Sequence, residues 1–287
     1  MPPRPKLAAH AERSYDGYVE RAVSYRGTSG MVPALVFVPD RPGEGGVVIH
    51  HQHASQWHFG KSEVAGHVGD SFQAFGPALA RRGVTVLAPD AIGFEDRRAS
   101  ATGTEACASD SFDYHASMCY RLLEGRPLMG AVLADAAAAH SVLKGLLDDG
   151  PVGVAGHSMG GATALFHAAV DTRVDFAAVS GAACTYRHRM AHGIGIEATQ
   201  VIPGILDAGD LDGIAALVAP RPMLLCSASA DKYSQDAAAI AQAAAGAYAA
   251  TEASGGLQHA DFEGGHALTA QRFDLIVDWL SCQLASQ

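Results

Sequence analysis

The chain has 287 residues, 48% of them apolar and 17% charged, a globular composition able to bury a large core. Its 30 acidic and 20 basic residues give a net charge of −10, which argues against a nucleic-acid partner. No apolar run approaches bilayer length and no basic amphipathic stretch suggests a membrane surface.

Residues 1–20 read as a polar lead-in. Residues 19–25 and 34–38 read as strands, punctuated by Gly27, Gly30 and Pro33. After the turn-rich residues 40–46, the short apolar run 47–51 has the form of a buried strand. A loop rich in His, Gln, Ser and Gly follows to residue 69. Residues 72–82 carry helical spacing, with Phe72, Phe75 and Leu79 on one side and Gly83 at the C-cap position. Residues 84–88 form the next strand, ended by Pro89. Residues 91–127 lack clean periodicity and are expected to be a pocket-shaping excursion.

A long Ala/Leu helix is expected over 131–147, a strand over 152–155, a helix over 160–170 and a strand over 176–180. Residues 182–218 form a second excursion. Then come a strand over 223–227, a helix over 235–248, a strand over 258–262 and an amphipathic helix over 268–284. Strands alternating with helices imply an α/β fold with a mainly parallel sheet covered on both faces. No repeat is visible, and Gly255-Gly256 and Gly264-Gly265 read as loops, so a single domain over 1–287 is expected.

The strongest chemical signal is Gly156-His157-Ser158-Met159-Gly160, a G-x-S-x-G match directly after a strand and before a helix. A nucleophilic serine there sits on a tight, strained turn. Small residues on either side let strand and helix approach, and the helix N-terminus points at the site, where it favours developing negative charge.

A serine hydroxyl needs a base to take its proton, and histidine suits that role near neutral pH. In a site of this kind the acid and then the histidine follow the serine along the chain. His266, in the loop between the last strand and the last helix, fits the base. His259 falls within a strand, and His188 and His192 lie in the second excursion, where they could touch substrate. Asp231 follows the 223–227 strand and fits the acid that orients the imidazole. Asp207, Asp210 and Asp212 precede that strand, and Asp236 belongs to the next helix.

Acyl transfer also needs donors for the tetrahedral oxygen. The Met159 N–H is one, and the Gln52 N–H in His50-His51-Gln52-His53 is the expected second, with His53 as runner-up. His51 is expected to pack under that loop. Histidines 50, 51, 53, 58 and 67 invite a metal reading, but no Cys or carboxylate cluster completes a ligand shell nearby in sequence. Neither metal nor cofactor is expected. Trp57, Phe94 and His157 are candidate substrate contacts, and Phe59 could join them or belong to the core. Arg97 and Arg98 could hold a substrate carboxylate or simply lie in a solvated loop.

Several stretches together resemble the α/β-hydrolase superfamily, and within it the dienelactone-hydrolase-like and acetyl-xylan-esterase-like branch. They are His51-Gln52 with Gly60-Lys61, Leu79 to Gly83 leading into Ala88-Pro89-Asp90, the elbow Gly156 to Gly161, and Ala219-Pro220-Arg221-Pro222. The resemblance spans residues 30–285. It implies a cofactor-free Ser-Asp-His hydrolysis of esters or lactones, with Asp90 structural. Dienelactone hydrolases proper usually carry a Cys nucleophile, so the serine favours a carboxylesterase.

The expected function is therefore a serine esterase or lactonase acting on a small molecule through an acyl-enzyme. The same triad could serve a peptidase, acyltransferase, C–C hydrolase or cofactor-free peroxidase, and a non-catalytic binding protein is the remote alternative. The widely spaced Cys107, Cys119, Cys184, Cys226 and Cys282, and an N-terminus without a signal-peptide core, point to a cytoplasmic setting.

Overall fold

A computed structural model describes residues 5–251 and 256–285. Its nine strands are β1 (Leu7–Tyr15), β2 (Tyr18–Gly27), β3 (Gly30–Pro39), β4 (Gly46–His50), β5 (Thr85–Pro89), β6 (Val152–His157), β7 (Ala177–Ser180), β8 (Met223–Ala228) and β9 (Leu257–Phe262). They form one sheet in the order β1-β2-β3-β5-β4-β6-β7-β8-β9. The first three strands run antiparallel, β3 meets β5 antiparallel, and all remaining pairs are parallel. The α/β architecture and parallel sheet expected from the sequence are what the structure shows.

The helices are α1 (Lys61–Val64), α2 (Phe75–Ala80), α3 (Asp110–Leu123), α4 (Leu128–Leu146), α5 (Met159–Val170), α6 (Tyr186–His192), α7 (Ile205–Ala208), α8 (Leu211–Ala216), α9 (Ala237–Ala250) and α10 (Ala270–Ala285). Strands β4 to β8 are buried along their whole length because helices cover both faces. Leu143 of α4, Leu165 of α5 and Ile240 of α9 pack on one face. Leu79 of α2 and Leu280 of α10 pack on the other, with Phe37 and Ile49. No helix among the described residues is long and apolar enough to cross a membrane.

Three expectations need correction. Residues 7–15 are not a lead-in but β1, paired with β2 from Leu7↔Tyr25 to Tyr15↔Tyr18. Backbone pairing rather than burial holds β1, since most of its side chains are exposed. The 91–127 excursion contains the 14-residue α3, an amphipathic helix that buries only Asp110 and Tyr114. The helix expected over 72–82 is shorter, a 3₁₀ turn at Ser71–Gln73 followed by α2. Residues 1–4 of the lead-in and Gly255 of the Gly255-Gly256 loop lie outside the described residues.

Candidate active site

The parallel strands deliver their C-terminal ends to one edge of the sheet, where an open α/β sheet places its ligand crevice. Ser158 sits there between β6 and α5 with φ 58° and ψ −121°, a backbone that L-residues rarely adopt. The flanking glycines are required by close approach: a Cβ on Gly156 would lie 2.4 Å from the Gly160 carbonyl carbon, and one on Gly160 would lie 2.0 Å from the His50 oxygen. The Ser158 N–H donates to the Ser180 oxygen at 2.9 Å, tying the turn to β7.

The loop between β9 and α10 brings His266 to this turn. Its Nε2 lies 2.8 Å from Ser158 Oγ and its Nδ1 2.9 Å from Asp231 Oδ1. A carboxylate only accepts, so Nδ1 carries the proton and Nε2 is left to accept from the serine hydroxyl. Asp231 follows β8 and is fully buried. It also accepts from the Tyr233 N–H at 3.0 Å and the Ser234 hydroxyl at 2.7 Å. Burial alone would raise its pKa, but these bonds and the His266 contact outweigh it and hold the carboxyl at about 2.

Above the serine lies a cleft of about 600 Å³, lined by Met159, Trp57, His53, Arg189, Glu197 and Tyr233 as well as Ser158 and His266. Trp57 is thus at the cleft. Phe94 and His157 are not. Phe94 is fully buried, with its ring 4.9 Å from His51 and 5.3 Å from Tyr114, so it supports the loop from beneath. His157 is buried behind His266, its ring 4.8 Å from that of His266 and its Nδ1 3.0 Å from Ser180 Oγ. Burial holds His157 neutral, well below the usual histidine range.

Of the two candidates for the second oxyanion donor, His53 lines the cleft and Gln52 does not. The Gln52 side-chain amide donates away from the cleft, to Glu63 at 2.9 Å. His51 lies under the loop as expected: its Nδ1 donates to the Gln52 oxygen at 2.8 Å, and its Nε2 accepts the Ala91 N–H at 3.0 Å. Burial lowers its pKa to about 4, with the Gln52 bond opposing.

The nearby histidines have separate partners. His50 meets His167 at 3.2 Å and His67 meets Glu20 at 3.0 Å. Asp90, Glu95 and Asp96 do converge, but the Lys61 ammonium already stands among them at 2.8, 2.5 and 2.6 Å. The structural reading of Asp90 agrees with this placement. Arg97 and Arg98 are not placed to hold a substrate carboxylate, because each is paired within the protein, Arg97 with Asp135 at 2.8 Å and Arg98 with Asp110 at 2.7 Å. His188 and His192 stack on each other on α6 and do not line the cleft. Arg189 of the same helix does, as does Glu197, and neither was singled out by the sequence.

A family model described as the alpha/beta hydrolase fold matches residues 47–249. The chain belongs to the α/β-hydrolase fold family. Within the family, the protein YtaP of Bacillus subtilis (strain 168), described as a candidate hydrolase, is 29% identical over 202 residues. That match covers 66% of this chain and 62% of YtaP, so the chain spans under two thirds of this relative's length. Two solved α/β-hydrolase structures are also similar. A candidate acetyl xylan esterase from Bacteroides fragilis NCTC 9343 superposes with a TM-score of 0.75 at 16% identity, over 98% of this chain and 83% of that one. A glucuronoyl esterase from Solibacter usitatus gives 0.69 at 14% identity, over 99% and 87%. At such identities the likeness is one of fold.

Proposed function

We propose that this α/β hydrolase is a serine carboxylic-ester hydrolase working through an acyl-enzyme on Ser158. The observation that carries the reading is the unbroken relay from Ser158 Oγ through His266 to the buried Asp231 carboxylate, at 2.8 and 2.9 Å. Esterases among the similar structures support the choice of bond.

Ser158 Oγ attacks the ester carbonyl while its proton passes to His266 Nε2, and Asp231 stabilises the imidazolium that forms. The tetrahedral oxyanion is assigned to the N–H groups of Met159, at the N-terminus of α5, and of His53. His53 replaces Gln52 in this role because it borders the cleft. Collapse releases the alcohol, which takes the proton from His266. Water then repeats the sequence to free the acid. The substrate class is a small-molecule ester or lactone.

The test is labelling of Ser158 by a fluorophosphonate, together with turnover of esters and lactones graded by acyl length. Stoichiometric labelling and a burst with an activated ester are expected. A Ser158→Ala protein that kept full ester turnover would end the reading.

A further inference from the structure

Arg189 is only 3% exposed, yet it belongs to the wall of the cleft that holds Ser158 and His266. Its Nε donates to the Cys184 oxygen at 3.1 Å and its Nη1 to Gln200 Oε1 at 2.9 Å. The guanidinium carbon stands 5.8 Å from the centre of the Tyr233 ring. The Cys184 thiol lies between Arg189 and the Asp236 carboxylate, and burial, with Asp236 adding to it, pushes it up to about 11, so it is uncharged at neutral pH. None of these partners is anionic, and Arg189 forms no ion pair with a carboxylate among the described residues.

The buried Arg97 and Arg98 each have an aspartate. A buried guanidinium without a counter-charge is unfavourable until an anion arrives, and its planar fork fits a carboxylate in two parallel hydrogen bonds. The other charged group in the wall, Glu197, stands elsewhere. Its carboxylate accepts from the Tyr114 hydroxyl and from the Thr199 N–H and hydroxyl, and its charge acts on His53. The wall therefore offers a cation with no carboxylate in direct contact beside Tyr233, and a fully hydrogen-bonded anion beside His53.

We propose that the preferred substrates are esters bearing a free carboxylate, and that Arg189 binds that carboxylate. This rests on Ser158 being the esterase nucleophile. Net hydrolysis is unchanged: ester and water give acid and alcohol, and the second carboxylate takes no part in bond making.

Two matched pairs test it. The monoester 4-nitrophenyl hydrogen glutarate against its methyl ester places the charge on the acyl side, and 4-acetoxybenzoate against its methyl ester places it on the alcohol side. In at least one pair the acid should exceed the neutral partner in kcat/KM by about tenfold or more, mainly through KM. Arg189→Gln should bring that ratio close to one, and Arg189→Lys should restore part of it. A wild-type ratio of one or less in both pairs overturns the proposal, as does a ratio unchanged in Arg189→Gln.

Should Arg189→Gln fail to fold, the wild-type enzyme decides. Glutarate should inhibit neutral-ester turnover competitively where glutaramide does not, and equal inhibition by both overturns the proposal. Loss of the esterase reading looks different: neither pair is turned over, or turnover survives in Ser158→Ala, and the inference then falls with it.

Discussion

The Arg272 guanidinium sets its Nη2 3.6 Å from Asp231 Oδ2, while its Nη1 donates to the His266 oxygen at 3.3 Å. One buried cation from α10 therefore touches both the Asp231 carboxylate and the His266 backbone. Nη2 also reaches the Cys226 oxygen at 3.4 Å, on the strand that leads to Asp231. Removing a buried partner of this kind costs about 3–5 kcal/mol. Arg272→Met should lower both Tm and kcat, the latter by about tenfold or more, with a smaller effect on KM. Arg272→Lys should recover part of the kcat loss because it keeps the charge. Steady-state kinetics beside thermal melts check this, and wild-type kcat in Arg272→Met would remove any role for the guanidinium in holding the triad.

Gly181 tests how closely the base is positioned. It follows β7 with φ +63°, and a Cβ there would lie 2.7 Å from His157 Cε1 and 3.1 Å from His266 Cε1. The His157 ring cannot yield freely, because it is buried. Gly181→Ala should therefore displace the imidazole of His266 as well as strain the backbone. A shift of under an ångström at a reacting group suffices for a loss of about tenfold to a hundredfold in kcat. Stability should fall by only about 1–2 kcal/mol. Kinetics at saturating ester separate the two effects, and unchanged kcat would show that the His266 ring tolerates displacement.

Stability should depend strongly on pH below neutrality. His50, His51, His140, His157 and His167 are all buried. Burial lowers the pKa of each, to about 4 for His51 and His140. Their unfolded pKa is near 6.5, so between about pH 6.5 and 4 the unfolded chain binds more protons than the folded one. The stability is complete above that window and is lost as pH falls through it. Asp90 and Glu63, which burial pushes up, pull the other way. Five histidines against two carboxyls should still lower Tm by about 10 °C from pH 7 to pH 5. Below about pH 4 the depressed Asp231 adds a further loss as its carboxyl is protonated toward its folded value of about 2. Melts across pH 4–8 decide, and a flat Tm would mean these histidines are already solvated.

Residues with a local signature were legible in the sequence, and residues brought together by tertiary packing were not. Ser158 is announced by its two glycines, and His266 and Asp231 by the strands they follow. β1 is harder, since its side chains alternate no apolar face. Only its Asp16-Gly17 hairpin turn, with Gly17 at φ +87°, marks it in the sequence. Phe94 illustrates the opposite failure: an aromatic near a cleft and an aromatic beneath its floor have the same local pattern. Arg97, Arg98 and Arg189 likewise differ only in their partners. Asp135, Asp110 and Gln200 lie 38, 12 and 11 residues away, and no local pattern selects them. The choice between Gln52 and His53 turns on which one faces the cleft, a matter of backbone path after β4.

Lys61 supplies the last prediction. Its ammonium lies 2.8, 2.5 and 2.6 Å from Asp90, Glu95 and Asp96, and the Lys61 N–H also donates to Asp90 at 2.8 Å. Burial opposes the charge, but the carboxylates outweigh it and keep the lysine protonated above its ordinary range. This knot ties α1, after the His53 loop, to the residues that follow β5. Lys61→Met would leave three carboxylates facing one another, a loss of about 3–5 kcal/mol. The sign of the pH effect is also fixed. Burial already pushes Asp90 up to about 7, and removing the cation pushes it further. A raised folded pKa means that the group's burden on stability grows as pH rises above the unfolded value. The deficit of Lys61→Met relative to wild type should therefore widen from pH 5.5 to pH 8. Chemical denaturation at the two pH values measures it, and a deficit independent of pH would mean that the carboxylates find other donors once the lysine is gone.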